Sequence, residues 1–244
     1  MMTSLSTDII IKAESFPRIK AGITRLEDIL EAPSYQVVPD SEWSNSLSSL
    51  SDGVTLNEWP PDAKSVLVLG LHHPENNPRL DWWDGGNTPG NRRLMEVSDS
   101  LRQWIKDTYG LSALPLPYYV ESGGLFLKDA AVLAGLGIVG RSNLLLNPEW
   151  GPRIRLRSIL IEGELEPTRP IKGFSPCESC GELCHSACPK DVFSSGAYHR
   201  PTCIEQLNTD VANKMPDSEG GEHGNPRLVI KYCRACEFAC PVGA

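Results

Sequence analysis

The first 176 residues hold no cysteine; all eight lie between Cys177 and Cys240. A chain of 244 residues can bury a core without covalent staples. The confinement of every thiol to one third of it speaks against a disulfide framework. No stretch approaches the ~18–20 apolar residues that a membrane span needs. The N-terminus, MMTSLSTDIIIKAESF, lacks a basic region, a long apolar run and a small-residue cleavage site. No secretory signal is expected, and the compartment implied is the cytoplasm. Basic residues are in the minority, 23 Lys and Arg against 31 Asp and Glu, for a net charge of −8. That excludes a broad grip on a nucleic-acid backbone, which runs on Lys and Arg meeting phosphates, but leaves room for a local patch.

Apolar spacing predicts helix over about Ser4–Leu30, an irregular stretch from Glu31 to Pro61, and a buried strand at Lys64–Gly70. A long turn-rich loop follows, whose Trp82 and Trp83 are expected to anchor it. Arg92–Tyr109 carries Leu94, Val97, Leu101, Trp104 and Ile105 on one helical face and ends at Gly110. Leu116–Glu121 is expected to be a strand and Phe126–Leu136 a helix. In Arg153–Leu160, RIRLRSIL, aliphatic residues alternate with Arg153, Arg155 and Arg157, as in a half-buried strand. The three arginines are either a solvated face or a polar wall toward an anionic cofactor. The order of elements implies an α+β domain over residues 1–166. Pro167, Pro170 and Pro176 mark a boundary before a cysteine-rich domain, 167–244.

The cysteines form two runs, Cys177-x2-Cys180-x3-Cys184-x3-Cys188-Pro189 and Cys233-x2-Cys236-x3-Cys240-Pro241, with Cys203 between them. In two-cluster ferredoxins, the Cys-Pro thiolate of one run serves the other run's cluster. That crossover divides the eight without remainder. Cys177, Cys180, Cys184 and Cys240 would hold one 4Fe–4S cluster; Cys188, Cys203, Cys233 and Cys236 would hold the other. A zinc ribbon on Cys177, Cys180, Cys233 and Cys236 would strand the remaining four. The usual run is C-x2-C-x2-C, so the extra residue within Gly181–Leu183 loosens the assignment of Cys184. His185 becomes a ligand only if Cys184 is not one.

Val120-Glu121-Ser122, Ala134-Gly135-Leu136-Gly137, Gly140-Arg141-Ser142-Asn143 and Gly151-Pro152-Arg153, followed by the eight-cysteine order, resemble the epoxyqueuosine reductase family. Those are cobalamin-dependent iron–sulfur reductases related to the reductive dehalogenases. The resemblance covers about half the chain, from Tyr118 onward. It implies a nitroreductase-like corrinoid-binding domain followed by a ferredoxin-like domain with two 4Fe–4S clusters that pass electrons to cobalt. Glu121 stands where the family has an Asp that supplies a proton. Ser122, Gly137, Gly140, Arg141, Ser142, Asn143 and Arg153 would contact the corrinoid. Gly135, Gly137 and Gly140 could equally form a helix cap and turn. The implied partners are a low-potential electron donor, such as ferredoxin or flavodoxin, and a small-molecule substrate or a corrinoid protein. A carrier that delivers electrons or corrinoid without catalysis is the alternative. The acidic charge, and an ending at Ala244 where the tRNA-modifying enzymes continue into helical repeats, set the expectation against tRNA as substrate.

Overall fold

A computed structural model of the chain describes residues 4–37, 59–217 and 227–243, without the side chains of Gln36, Val37 and Glu121. Two compact units emerge, and they interleave along the chain. The first comprises Met1–Leu71, Leu94–Ile138 and Leu156–Lys172; the second comprises His72–Arg93, Val139–Arg155 and Gly173–Ala244. The last crossing between the units is at Lys172. The segments 72–93 and 139–155 leave the first unit for the second well before it.

In the first unit, α1 (Leu5–Glu14) starts at Ser4, whose hydroxyl accepts from the Thr7 N–H. Its Ile9 and Ala13 are buried one turn apart. The helix expected to run to Leu30 stops early. Pro17 and a left-handed Arg18 (φ 64°) turn the chain into strand β1, Ile19–Arg25. Two short helices follow, Leu26–Leu30 (α2) and Pro33–Val37 (α3). Most of the stretch expected to be irregular lies outside the described residues.

Strand β2 (Ala63–His72) pairs antiparallel with β1, Gly22 opposite Val68. The four-stranded sheet has the order β1-β2-β6-β3, where β3 is Ala113–Pro115 and β6 is Ile154–Glu162. The strand expected at Leu116–Glu121 is displaced. The ladder runs through Pro115, opposite Ile159, and Leu116 N–H still donates to Ser158 O at 2.9 Å. Pro117 has no N–H to continue it, and Val120–Ser122 coils into a 3-10 turn. Helix α4 (Pro89–Tyr109) lays Leu94, Val97, Leu101 and Ile105 into the core with Leu67, Leu69, Leu71, Ile159 and Ile161. That is the apolar face its periodicity predicts. Helix α5 (Leu127–Leu133) abuts β1: a Cβ on Gly22 would lie 2.0 Å from the carbonyl oxygen of Ala134.

The second unit has little regular structure. The two-residue strand β4 (Ile138–Val139) leads into it and pairs with β5 (Leu145–Leu146). Beyond Gly173 come α6 (Leu183–Ser186), α7 (Arg200–Ala212), the hairpin β7 (Met215–Asp217) and β8 (Arg227–Val229), and α8 (Ala235–Phe238). Trp83 anchors its loop as expected, exchanging backbone hydrogen bonds with Ile230 and meeting Tyr232 edge-on. Trp82 lies beneath the Lys231 ammonium, 3.9 Å from the ring centre. No helix among the described residues is long and apolar enough to cross a membrane.

Candidate functional site

All eight cysteines are free thiols of intermediate exposure, and all belong to the second unit. Their electrostatic neighbours sort them. The Cys184 thiol is pushed up chiefly by burial, then by Cys240 and Cys180. Cys240 is pushed up by burial, then by Cys177 and Cys180. Cys233 is raised by burial, with Cys188 and Cys203 adding to it. Cys236 is pushed up to about 12 by burial, then by Cys233, Glu237, Cys188 and Cys203. The thiols that raise Cys184 and Cys240 are Cys177, Cys180 and Cys240, and those that raise Cys233 and Cys236 are Cys188, Cys203 and Cys233.

This donor set suits a polynuclear cationic group. Burial and mutual repulsion keep the protons on, and metal coordination strips them off. No three His, Cys, Asp or Glu among the described residues converge closely enough for a single metal ion. Backbone N–H groups of His185, Ala235 and Val242 reach the sulfurs of Cys184, Cys233 and Cys240 and would stabilise thiolate charge.

Helix α7 brings Cys203 to its set. Asp210 lies seven residues further on, on the same face, and its carboxylate accepts the Cys233 N–H at 2.7 Å. Tyr198 hydrogen-bonds Cys203, and burial, first of all, keeps its phenol protonated well above neutrality. Neither residue carries a spacing signal in the sequence. Within the longer gap before Cys184, Glu182 takes a left-handed conformation (φ 55°) and pairs with Arg141. His185 stacks on Phe193, ring centres 4.2 Å apart.

The residues implied as corrinoid contacts are distributed as follows. Ser122 lies in the 3-10 turn of the first unit with Glu121, whose side chain is outside the described residues. Gly137 is buried in the same unit. Gly140–Asn143 form a tight turn in the second unit, closed by Asn143 N–H to Gly140 O and Gly140 N–H to Leu144 O, both 2.9 Å. Within it Ser142 is buried and Asn143 is left-handed (φ 58°). Gly140 is needed for packing: a Cβ would lie 2.5 Å from Leu146 Cδ1. Cavities of about 380 and 330 Å3 lie elsewhere, around Ser194, Ser195 and His199 and around Thr24, Asp28 and Arg169.

The arginines of the RIRLR run are not a solvated face. Arg153 is buried; its Nε and Nη2 donate to Glu75 Oε1 at 3.0 and 2.7 Å, and its Nη1 to Val242 O at 3.0 Å. Arg155 meets Asp81 and Glu237, each at 2.9 Å. Arg157, in the first unit, donates to Leu116 O at 2.7 Å. Protein carboxylates and carbonyls occupy these guanidiniums. The polar wall is there, but it faces inward to the chain.

No family model matches the chain. It is similar to an epoxyqueuosine reductase of Lactococcus garvieae, 24% identical across 98% of this chain and 70% of the relative. One from Staphylococcus aureus is 25% identical over 74% of this chain and 48% of the relative. Among solved structures, an epoxyqueuosine reductase with an epoxyqueuosine-modified tRNA-Tyr stem loop superposes with a TM-score of 0.64 at 23% identity, over 98% of this chain and 65% of that one. The reductive dehalogenase NpRdhA in complex with 3-bromo-4-hydroxybenzoic acid gives 0.59 at 19% identity, over 92% of this chain and 30% of that one. The chain thus spans between about half and 70% of these two curated relatives.

Proposed function

We propose, from the premise that this chain belongs to the epoxyqueuosine reductase-like family, that it is a cobalamin-dependent iron–sulfur reductase. The observation that supports the reading is that Cys184 and Cys240 have Cys177 and Cys180 as neighbours, whereas Cys233 and Cys236 have Cys188 and Cys203. One set would hold a 4Fe–4S cluster on Cys177, Cys180, Cys184 and Cys240, the other on Cys188, Cys203, Cys233 and Cys236. The clusters would relay single electrons from a low-potential donor such as ferredoxin or flavodoxin. A bound corrinoid would supply the reducing metal centre, chemistry that no side chain offers. A nitroreductase-like domain followed by a ferredoxin-like one is the matching architecture.

The residues of the chain have separable tasks. The thiolates bind, and backbone N–H groups near them temper their charge. Gly140, Ser142 and Asn143 would let backbone and small polar groups of the second unit approach a corrinoid edge; Ser122 and Gly137, of the first unit, rest on the family resemblance alone. Glu121 would hold the proton that the reduced substrate takes up; a carboxyl on an apolar face keeps its proton and acts as general acid. Arg141 and Arg153 would act indirectly, since Glu182 and Glu75 already engage them. The first substrate to offer is epoxyqueuosine in an anticodon stem-loop, the modified nucleotide named for one solved neighbour. The net charge of −8 makes a small molecule the second. A non-catalytic electron or corrinoid carrier would bind the same groups and turn over neither.

Anaerobic reconstitution with iron, sulfide and cob(II)alamin tests the reading. Roughly eight irons per chain and a bound cob(II)alamin signal in electron paramagnetic resonance are expected. Protein that takes up iron but leaves cob(II)alamin free in solution would sink the reductase.

A further inference from the structure

Four charged side chains of the second unit close into a ring. Asp81 meets Arg155 at 2.9 Å and Arg234 at 2.5 Å; Glu237 meets Arg155 at 2.9 Å and the Nε of Arg234 at 3.0 Å. Each carboxylate touches both guanidiniums, and each guanidinium both carboxylates. The side chains of Asp81, Arg234 and Glu237 are at most 10% exposed, and that of Arg155 is 29% exposed. His73, fully buried, bonds Asp81 Oδ1 through Nδ1 at 2.8 Å. Burial keeps it neutral by lowering its affinity for a proton, with Arg155 and Arg234 acting in the same sense. The ring is therefore balanced, two positive charges against two negative.

Its place in the sequence is the informative part. Arg234 directly follows Cys233, and Glu237 directly follows Cys236. Half of the ring is thus built into the loop that offers two thiols to one set and, at Cys240, a third to the other. Stability is a poor reason for such an arrangement, because well-packed apolar residues often replace a buried ion network at no loss. A charge in a low-dielectric interior, however, acts on its neighbours far more strongly than one in water.

We propose that the Asp81–Arg155–Glu237–Arg234 ring sets the reduction potential of the cluster held by Cys188, Cys203, Cys233 and Cys236. Resting on the reading above, it adds to it a specific electrostatic control. Reduction places one more electron on the cluster, which a nearby negative charge opposes and a nearby positive charge favours. A balanced ring holds the potential between the values that either charge alone would impose. It also fixes the loop mechanically, since Arg234 Nη2 reaches the His73 carbonyl at 3.4 Å.

The test is an anaerobic potentiometric titration of the reconstituted holoprotein, read by electron paramagnetic resonance, with iron counted in every sample. Glu237→Gln should raise the midpoint of that cluster and Arg155→Gln should lower it. The double variant should return close to the wild type. The other cluster should move less in each case. A purely mechanical role would shift both single variants the same way or leave their midpoints unmoved, and either result overturns the proposal. If Glu237→Gln fails to hold iron, Asp81→Asn removes the same charge from outside the cysteine loop and must also raise the midpoint. A wild-type protein without any 4Fe–4S signal would instead refute the reductase reading on which the ring's role depends.

Discussion

Gly151 and Val242 touch backbone to backbone: a Cβ on Gly151 would lie 1.8 Å from the Val242 carbonyl oxygen. Gly151 also holds a left-handed φ of 56°. The same carbonyl accepts Arg153 Nη1. Two residues that follow β5 thus seat the turn just past Cys240.

Gly151→Ala should therefore displace the Cys240-Pro241-Val242 turn. We expect loss of the cluster that uses Cys240, with roughly half of the iron retained. Iron counting on the anaerobically reconstituted variant checks this; full iron content would show that the turn has room to move.

Single thiol removals should separate the two sets. Cys184→Ser should abolish one cluster's signal and leave the other, whereas Cys236→Ser should do the reverse. Electron paramagnetic resonance of the reduced proteins distinguishes them. Loss of the same signal in both variants would show that the crossed assignment is mistaken.

Glu121→Gln should keep corrinoid affinity and slow substrate reduction by roughly 10²–10⁴-fold, the usual contribution of a general acid. Glu121→Asp should restore much of the rate if Glu121 is the general acid, because the shorter side chain keeps the carboxyl. The readout is single-turnover reduction of an epoxyqueuosine stem-loop. An unslowed Gln variant would remove Glu121 from the chemistry.

The neutral burial of His73 has a pH signature. In the unfolded chain a histidine takes up its proton near pH 6.5; in the folded chain His73 does so only at lower pH. Between those values the unfolded state binds more protons, so stability falls as pH drops below about 6.5. Asp81 is also held low: burial opposes its charge, but His73, Arg155 and Arg234 outweigh that. Its contribution persists until the acid range. Urea midpoints at pH 8 and 5.5 should differ in the wild type and converge in His73→Gln. Equal slopes in the two proteins would rule out His73 as the source.

Gly22→Ala probes the first unit alone. Its Cβ would stand 2.0 Å from the Ala134 carbonyl oxygen, forcing β1 and the end of α5 apart. A loss of about 1–3 kcal/mol in chemical denaturation is expected. A variant as stable as the wild type would mean that the carbonyl simply swings aside.

How much of this the sequence discloses depends on the range of the interaction. The α4 face is local periodicity and is legible, as is the buried strand β2. Strand β1 is not, because Ile19, Ile23 and Leu26 continue a plausible helical spacing; the break comes from Pro17 and a left-handed Arg18. The displaced β3 could have been read from Pro117, which denies the ladder its N–H group. The carboxylates that claim Arg153 and Arg155 sit at positions 75, 81 and 237, a pairing that no spacing rule announces. Asp210 and Tyr198 are hidden for the same reason, as is the seating of the Cys240 turn on Gly151.

The interleaving of the two units bears on how such a protein could be taken apart. The cysteine-bearing tail looks like a detachable cassette when read as a string. Yet Asp81 of the ring sits in the loop after β2, and Gly151 and Arg155 follow β5. A fragment starting at Gly173 would keep every thiol and lose the partners that orient two of its loops. Gene fusion or domain shuffling at that boundary would transplant ligands without their scaffold. The thiols and the side chains that brace their loops are inherited together or not at all.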